Sequence, residues 1–263
     1  MKLLREYLGE ALGTFILVLF GCGSVSATVL LGVFNSLLEI AIIWGLGVAI
    51  AIFITRNYCP AHLNPAVSLA MSFIGNLRWR KLPFYILSQT IGAFLAGFLL
   101  YFLFADAIAI YEGANHIVRG TPDSYKSALY FGEFFPNPGL ETLLPVSVYM
   151  ACWAEFIGTF LLVFVILRVT EKPKLVDNTT PFVIGLTVTI IICLIAPFTQ
   201  AGLNPARDFG PRMVAYLMGW GSAALPSVPY SFLTVYIVSP LLAGGFAAFL
   251  QRLVFTKRKN VPH

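Results

Sequence analysis

The chain has 263 residues, of which 58% are hydrophobic and only 11% charged, with a mean hydropathy of +0.83 and a formal net charge of +5. A soluble domain carries about a quarter charged residues, so composition excludes a soluble enzyme or binding module and selects an all-α, multi-pass membrane protein. The lysines and arginines cluster between apolar runs, which makes the positive balance a matter of topology and argues against a nucleic-acid partner.

Uncharged stretches run over 11–38, 40–55, 82–105, 178–206 and 213–251, and 145–167 is broken only by Glu155. A helix needs roughly 20 apolar residues to cross hydrocarbon, so the longest stretches must hold more than one element. The expected spans are 7–31, 37–55, 80–104, 145–168, 180–196 and 230–255. Lys2 and Arg5 before an apolar run resemble a cleavable leader. Glu10 interrupts that run, however, and apolar character continues to Leu31, so the segment reads as a first span. Two shorter helices are expected to begin at Asn64 and Asn204. The segment 64–74 makes about 16 Å of helix, roughly half the hydrocarbon thickness. Such a helix enters the bilayer and stops.

Internal repetition organises the chain. Asn64-Pro65-Ala66 returns as Asn204-Pro205-Ala206, and each copy follows a Gly-Leu-x-Val element (Gly45 to Val48, Gly185 to Val188) at the same distance. Gly9-Glu10-Ala11-Leu12-Gly13-Thr14-Phe15 returns as Ala154-Glu155-Phe156-Ile157-Gly158-Thr159-Phe160. One channel domain over 1–263 is therefore expected, with repeats over about 1–130 and 144–263. Each repeat holds three spans and one half-helix. An odd number of spans separates the repeats, so their topologies are inverted.

Orientation follows from basic residues. With both termini on one side, that side collects Lys2, Arg5, Arg56, Arg78, Arg80, Lys81, Arg168, Lys172, Lys174, Arg252, Lys257, Arg258 and Lys259. The opposite loops hold Arg119 and Lys126, while Arg207 and Arg212 lie in the second short segment. This asymmetry places both termini in the cytoplasm; the expected location is the plasma (cell inner) membrane. The four cysteines and three histidines show neither disulfide nor metal-ligand spacing, and no metal or other cofactor is expected.

Asparagine is a favoured N-cap and proline a favoured first helical residue, so Asn-Pro can simply start a helix. Two matched copies in apolar surroundings say more, because irregular backbone at membrane depth must line a wet cavity or be satisfied internally. An asparagine oxygen can cap its own helix while its amide presents donors to a lumen. Two helix N-termini meeting at the midplane add positive field, which opposes cations and hydronium. The stretches Pro60-Ala61-His62-Leu63 and Gln200-Ala201-Gly202-Leu203 are then non-helical, and their carbonyls form an acceptor strip along one wall. An apolar opposite wall would suit a small polyol.

Glu10 and Glu155 occupy equivalent intramembrane positions. Such carboxylates are costly, and their symmetry favours a scaffolding role, accepting from irregular backbone, over a proton relay. Arg207 opens the second half-helix and is expected to face the lumen. Asp208 either pairs with Arg207 or accepts from nearby backbone; the sequence leaves both open.

Ala61-His62-Leu63-Asn64-Pro65-Ala66-Val67 and Gly202-Leu203-Asn204-Pro205-Ala206-Arg207-Asp208-Phe209-Gly210-Pro211 resemble the major intrinsic protein family of aquaporins and glycerol facilitators. Asp208, Trp44 and the external His116-to-Gly120 stretch resemble its glycerol-conducting branch. The resemblance implies a right-handed aquaporin-like bundle of six spans and two re-entrant half-helices. It also implies a homotetramer with Glu39 near its axis, and a selectivity filter of Trp44, Ile192, Ala201 and Arg207. Common bacterial glycerol facilitators have glycine where Ile192 stands and an aromatic where Ala201 stands, so bulk moves from one wall to another. The tryptophan, aliphatic, alanine, arginine set is also similar to the plant nodulin-like branch.

The expected activity is passive diffusion of glycerol and similar neutral solutes with some water flow. The alternatives are a water-dominated pore, or a channel for urea, lactic acid, peroxide or metalloid hydroxides. A coupled transporter would need a titratable pathway, and an enzyme a nucleophile–base pair; neither pattern is present.

Overall fold

A computed structural model describes residues 2–171 and 179–255; Lys172, Lys174 and the basic tail Lys257 to Lys259 lie outside them. The described residues are helical without strands. The helices are α1 (Lys2–Leu31), α2 (Leu37–Thr55), α3 (Pro65–Phe73), α4 (Leu82–Leu103), α5 (Ala105–Ala114), α6 (Val148–Thr170), α7 (Thr180–Thr199), α8 (Pro205–Ala215) and α9 (Ser239–Val254). A wide-turned segment, Leu233–Val238, runs straight into α9 and completes the sixth span. Six helices are long and apolar enough to cross a bilayer. At nine and eleven residues, α3 and α8 are too short to cross.

Packing follows the repeat. Helix α1 packs on α2 and α4, as α6 packs on α7 and α9. The half-helices are exchanged: α3 lies against α9, and α8 against α4. The two repeats thereby interlock, and α2 against α7 closes the junction. That junction needs glycine, because a β-carbon on Gly45 would strike the Gly185 carbonyl and the reverse also holds. Backbones this close gain dispersion contacts that lipid cannot supply.

Several boundaries differ from the sequence expectation for local reasons. Helix α6 starts at Val148, not 145, because Ser147 caps it by accepting from Met150 N–H at 3.2 Å. Helix α7 runs through Pro197 to Thr199; the Ala196 carbonyl near its end accepts from Asn137 Nδ2 at 2.8 Å and Gln200 N–H at 2.9 Å. Tyr230 is left-handed (φ 61°), so the last span cannot begin there. Ser36 and Glu39 form a reciprocal capping box at α2, and Glu39 Oε2 also accepts from Asn35 N–H at 2.8 Å. The connection between α4 and α6 holds structure the sequence reading did not anticipate: α5 and a short 3-10 helix, Pro122–Ser127. Arg119 pins it, pairing with Glu112 at 2.7 Å and lying 4.0 Å over the Trp220 ring.

Candidate functional site

Each Asn-Pro-Ala triplet opens a half-helix. Asn64 and Asn204 are extended N-caps, and each side-chain oxygen accepts from the backbone two residues on, Ala66 N–H at 2.8 Å and Ala206 N–H at 3.1 Å. Pro65 and Pro205 fill the first helical position, where no N–H is needed. The amide nitrogens cross between repeats: Asn64 Nδ2 donates to the Leu203 carbonyl at 3.0 Å, and Asn204 Nδ2 to the Leu63 carbonyl at 2.7 Å. The two caps therefore brace each other. Each amide retains a second N–H.

The residues ahead of each asparagine take a conformation that side chains resist. Ala61 and Leu63 have φ of 53° and 52°, and Ala201 and Leu203 have 66° and 58°. Such left-handed residues cost about 1–3 kcal/mol each and persist only where the surroundings hold them. The holding groups are the two intramembrane carboxylates. Glu10 accepts from His62 N–H (2.9 Å), Leu63 N–H (2.7 Å) and Gln89 Nε2 (2.8 Å). Glu155 accepts from Gly202 N–H (2.8 Å), Leu203 N–H (2.7 Å) and the Thr199 hydroxyl (2.7 Å). Alternating backbone of this kind aims successive N–H groups at one anion and turns carbonyls the other way. Both carboxylates are fully buried.

A lumen of about 270 Å³ runs along these loops. Pro60, Ala61, His62 and Leu63 border it from one repeat, and Ala201, Gly202 and Leu203 from the other, together with Asn64 and Asn204. The lining also includes the apolar side chains Leu17, Val48, Val67, Ile184 and Val188, and the polar Arg56, Thr170 and Thr180. Trp44, Ile192, Ala201 and Arg207 all border the same lumen. The Arg207 guanidinium lies 4.2 Å over the Trp44 ring, a stacking that suits its planar, weakly hydrated cation.

Gln200 departs from the expected strip. It is not among the residues that border the lumen; its side-chain oxygen accepts from Phe134 N–H at 2.7 Å and ties the α5–α6 connection to the end of α7. The Leu63 and Leu203 carbonyls are engaged by the crossed amides, and the Gly202 carbonyl accepts from Asn204 N–H at 2.7 Å. Each of these three offers the lumen at most its second lone pair.

Of the two alternatives for Asp208, the structure has the backbone one: Asp208 accepts from Glu133 N–H at 2.7 Å. Its charge partner is Arg212, one turn on, with contacts of 2.8 and 3.0 Å, a pair the sequence reading did not weigh. Arg212 donates onward to the carbonyls of Glu133 (2.6 Å) and Ala224 (2.5 Å). Arg207 instead pairs with the Glu133 carboxylate. The sequence reading missed Glu133. One signal was available: a lone carboxylate within the aromatic run Tyr130-Phe131-Gly132-Glu133-Phe134-Phe135, just ahead of Pro136-Asn137-Pro138.

Comparison with known proteins agrees with this geometry. The sequence profile described as Major intrinsic protein matches residues 1–251. The glycerol uptake facilitator protein of Pseudomonas aeruginosa is 38% identical over 261 residues, covering 95% of this chain and 90% of the relative. That of Escherichia coli K12 is 36% identical over 252 residues, covering 94% and 86%. The propanediol uptake facilitator PduF of Citrobacter freundii is 34% identical over 266 residues, covering 99% and 95%. Among solved structures, the aquaglyceroporin from Plasmodium falciparum superposes with a TM-score of 0.81 at 26% identity, covering 96% of each chain. A chain with interlocked inverted repeats, crossed asparagine caps and relatives of this kind belongs to the Major intrinsic protein family.

Proposed function

We propose that this protein is a passive channel for glycerol and related small uncharged solutes, with some water flow, and that it excludes ions and protons. The observation that carries the reading is the mixed lining of the lumen. Asn64, Asn204 and Arg207 border it together with the aliphatic Leu17, Val48, Val67, Ile184 and Val188. A polyol can keep its hydroxyls on the polar strip and its C–H edge on the apolar wall, replacing its hydration shell as it moves. At the midplane, a water or hydroxyl oxygen accepting from both amides cannot also relay a proton through that position. The positive ends of α3 and α8 oppose cations there, the device by which aquaporin-type pores exclude protons. Trp44, Ile192, Ala201 and Arg207 form the filter in this reading.

The names of the relatives, glycerol and propanediol uptake facilitators, support a small-polyol substrate. The basic-residue asymmetry supports cytoplasmic placement of both termini, and the plasma membrane is the location in this reading. A homotetramer accords with the large exposed apolar side chains along α2 and α7, such as Leu46, Phe53, Phe182 and Leu186.

Reconstitution tests the function directly. Proteoliposomes should pass glycerol much faster than protein-free vesicles in stopped-flow light scattering; equal rates would end the proposal, and fast water with no glycerol would favour a water-dominated pore. Ile192→Gly with Ala201→Phe is expected to shift the glycerol-to-water ratio, and an unchanged ratio would remove these two from the filter. Gly21 offers a sharper prediction. A β-carbon there would occupy the space of the Trp44 indole, so Gly21→Val should push the ring into the lumen. Glycerol flux then falls about tenfold or more, the effect of about 1.4 kcal/mol at the constriction. Flux at the parental level would show that Trp44 can move elsewhere.

A further inference from the structure

The connection between α5 and α6 brings one carboxylate, Glu133, to Arg207 at the lumen. Its backbone is clamped at successive residues. Glu133 N–H donates to Asp208 and its carbonyl accepts from Arg212, while Phe134 N–H donates to Gln200. Directly after the cis Phe135-Pro136 pair, Asn137 Nδ2 donates to the Ala196 carbonyl. The Glu133 side chain, only 7% exposed, is thereby held on the Arg207 guanidinium, itself 5% exposed. Arg207 is gripped from two directions, by Glu133 and by the Trp44 face.

From this geometry we infer that Glu133 is a positioning and specificity-determining residue of the filter. It fixes the orientation of Arg207 and supplies its counter-charge, so a neutral solute meets an aimed donor rather than a mobile, uncompensated cation. The inference rests on reading the lumen as a solute pathway. With the pair formed, the constriction carries no net charge from these two groups, and cation exclusion falls on the half-helix ends and the asparagine amides. Glu133 does not border the lumen; it acts through Arg207.

The charged and titratable groups that bear on Glu133 are Arg207, Asp208 and Arg212 of α8; the same neighbourhood takes in Cys22 of α1 and Tyr236 of the last span. Burial pushes the Glu133 carboxyl up to about 7, against the lowering pull of Arg207. A raised carboxyl is charged above that value, so the ion pair is intact in mild base and is lost as pH falls through about 7.

The test is glycerol flux per reconstituted protein for the parent, Glu133→Gln and Glu133→Asp, each from about pH 8.5 to about pH 5.5. The parent is expected to lose about fivefold of its glycerol flux across this range, an effect of the size of one ordinary hydrogen bond. Glu133→Gln should be flat at the low-pH level, and Glu133→Asp should keep an inflection. Parental flux in Glu133→Gln with an unchanged pH profile overturns the inference. So does a flat profile in both the parent and Glu133→Asp. If Glu133→Gln does not fold, the Glu133→Asp profile decides by the same criterion. Absence of glycerol flux from the parent at every pH would instead overturn the channel reading itself.

Discussion

Replacing Asp208 with alanine is expected to cost about 3–5 kcal/mol of stability, the usual penalty for stranding one member of a buried ion pair. Asp208 is fully buried and Arg212 is 2% exposed, so neither can turn to water. Without the carboxylate, Arg212 keeps its donations to the Glu133 and Ala224 carbonyls but loses its charge partner. The Glu133 N–H also loses its acceptor. The thermal midpoint of purified protein in detergent, followed by loss of the monodisperse elution peak, should fall sharply. Combining Asp208→Ala with Arg212→Met removes both charges and should recover part of the loss, since replacing a whole buried pair is far milder than halving it. An unchanged midpoint in the single variant would mean the network does not hold the outer loop.

Glu155→Ala is the second large effect. Three buried donors, Gly202 N–H, Leu203 N–H and the Thr199 hydroxyl, would lose a charged acceptor together. At about 1–3 kcal/mol for each unsatisfied group, the loop loses about 3–9 kcal/mol in sum if nothing relaxes. Ala201 and Leu203 would then have little to hold them left-handed, and relaxing them displaces the Leu203 carbonyl on which Asn64 bonds. Glycerol flux should fall at least tenfold, corresponding to about 1.4 kcal/mol at the rate-limiting position. Glu155→Gln keeps one acceptor oxygen but turns a donor toward the others, so it should lie between. The same occupancy bears on proton coupling. With Glu10 and Glu155 each engaged by three structural donors, a protonophore should leave glycerol equilibration in vesicles unchanged. Uptake that collapses with the proton gradient would revive the relay reading.

The spans were legible because burial in lipid demands a run of apolar residues, and nothing else in the chain imitates one. The half-helices were legible for a local reason as well: Asn followed by Pro caps and starts a helix wherever it stands. Even the scaffolding role of Glu10 and Glu155 could be argued from matched placement. Local signals failed where a partner lies far away in sequence. Asp208 is bonded to the backbone at Glu133, and the counter-charge of Arg207 arrives on a loop more than 70 residues earlier. The tie that the Gln200 side chain makes to Phe134 N–H was likewise invisible in a stretch read only for its backbone. The left-handed run was also hidden, since Ala61, Leu63, Ala201 and Leu203 are residue types that rarely adopt such backbone.

Sequence by itself determined the membrane class, the six spans, the two capped half-helices and the inverted pairing of repeats, because these follow from hydropathy, capping chemistry and a repeated motif. Tertiary structure alone decided which half-helix docks on which repeat, that the two asparagines brace each other crosswise, and which carboxylate faces Arg207. The division has a physical cause. Hydropathy and capping act over one or two helical turns. The lumen is made where distant segments meet, and its charges are assigned by that meeting.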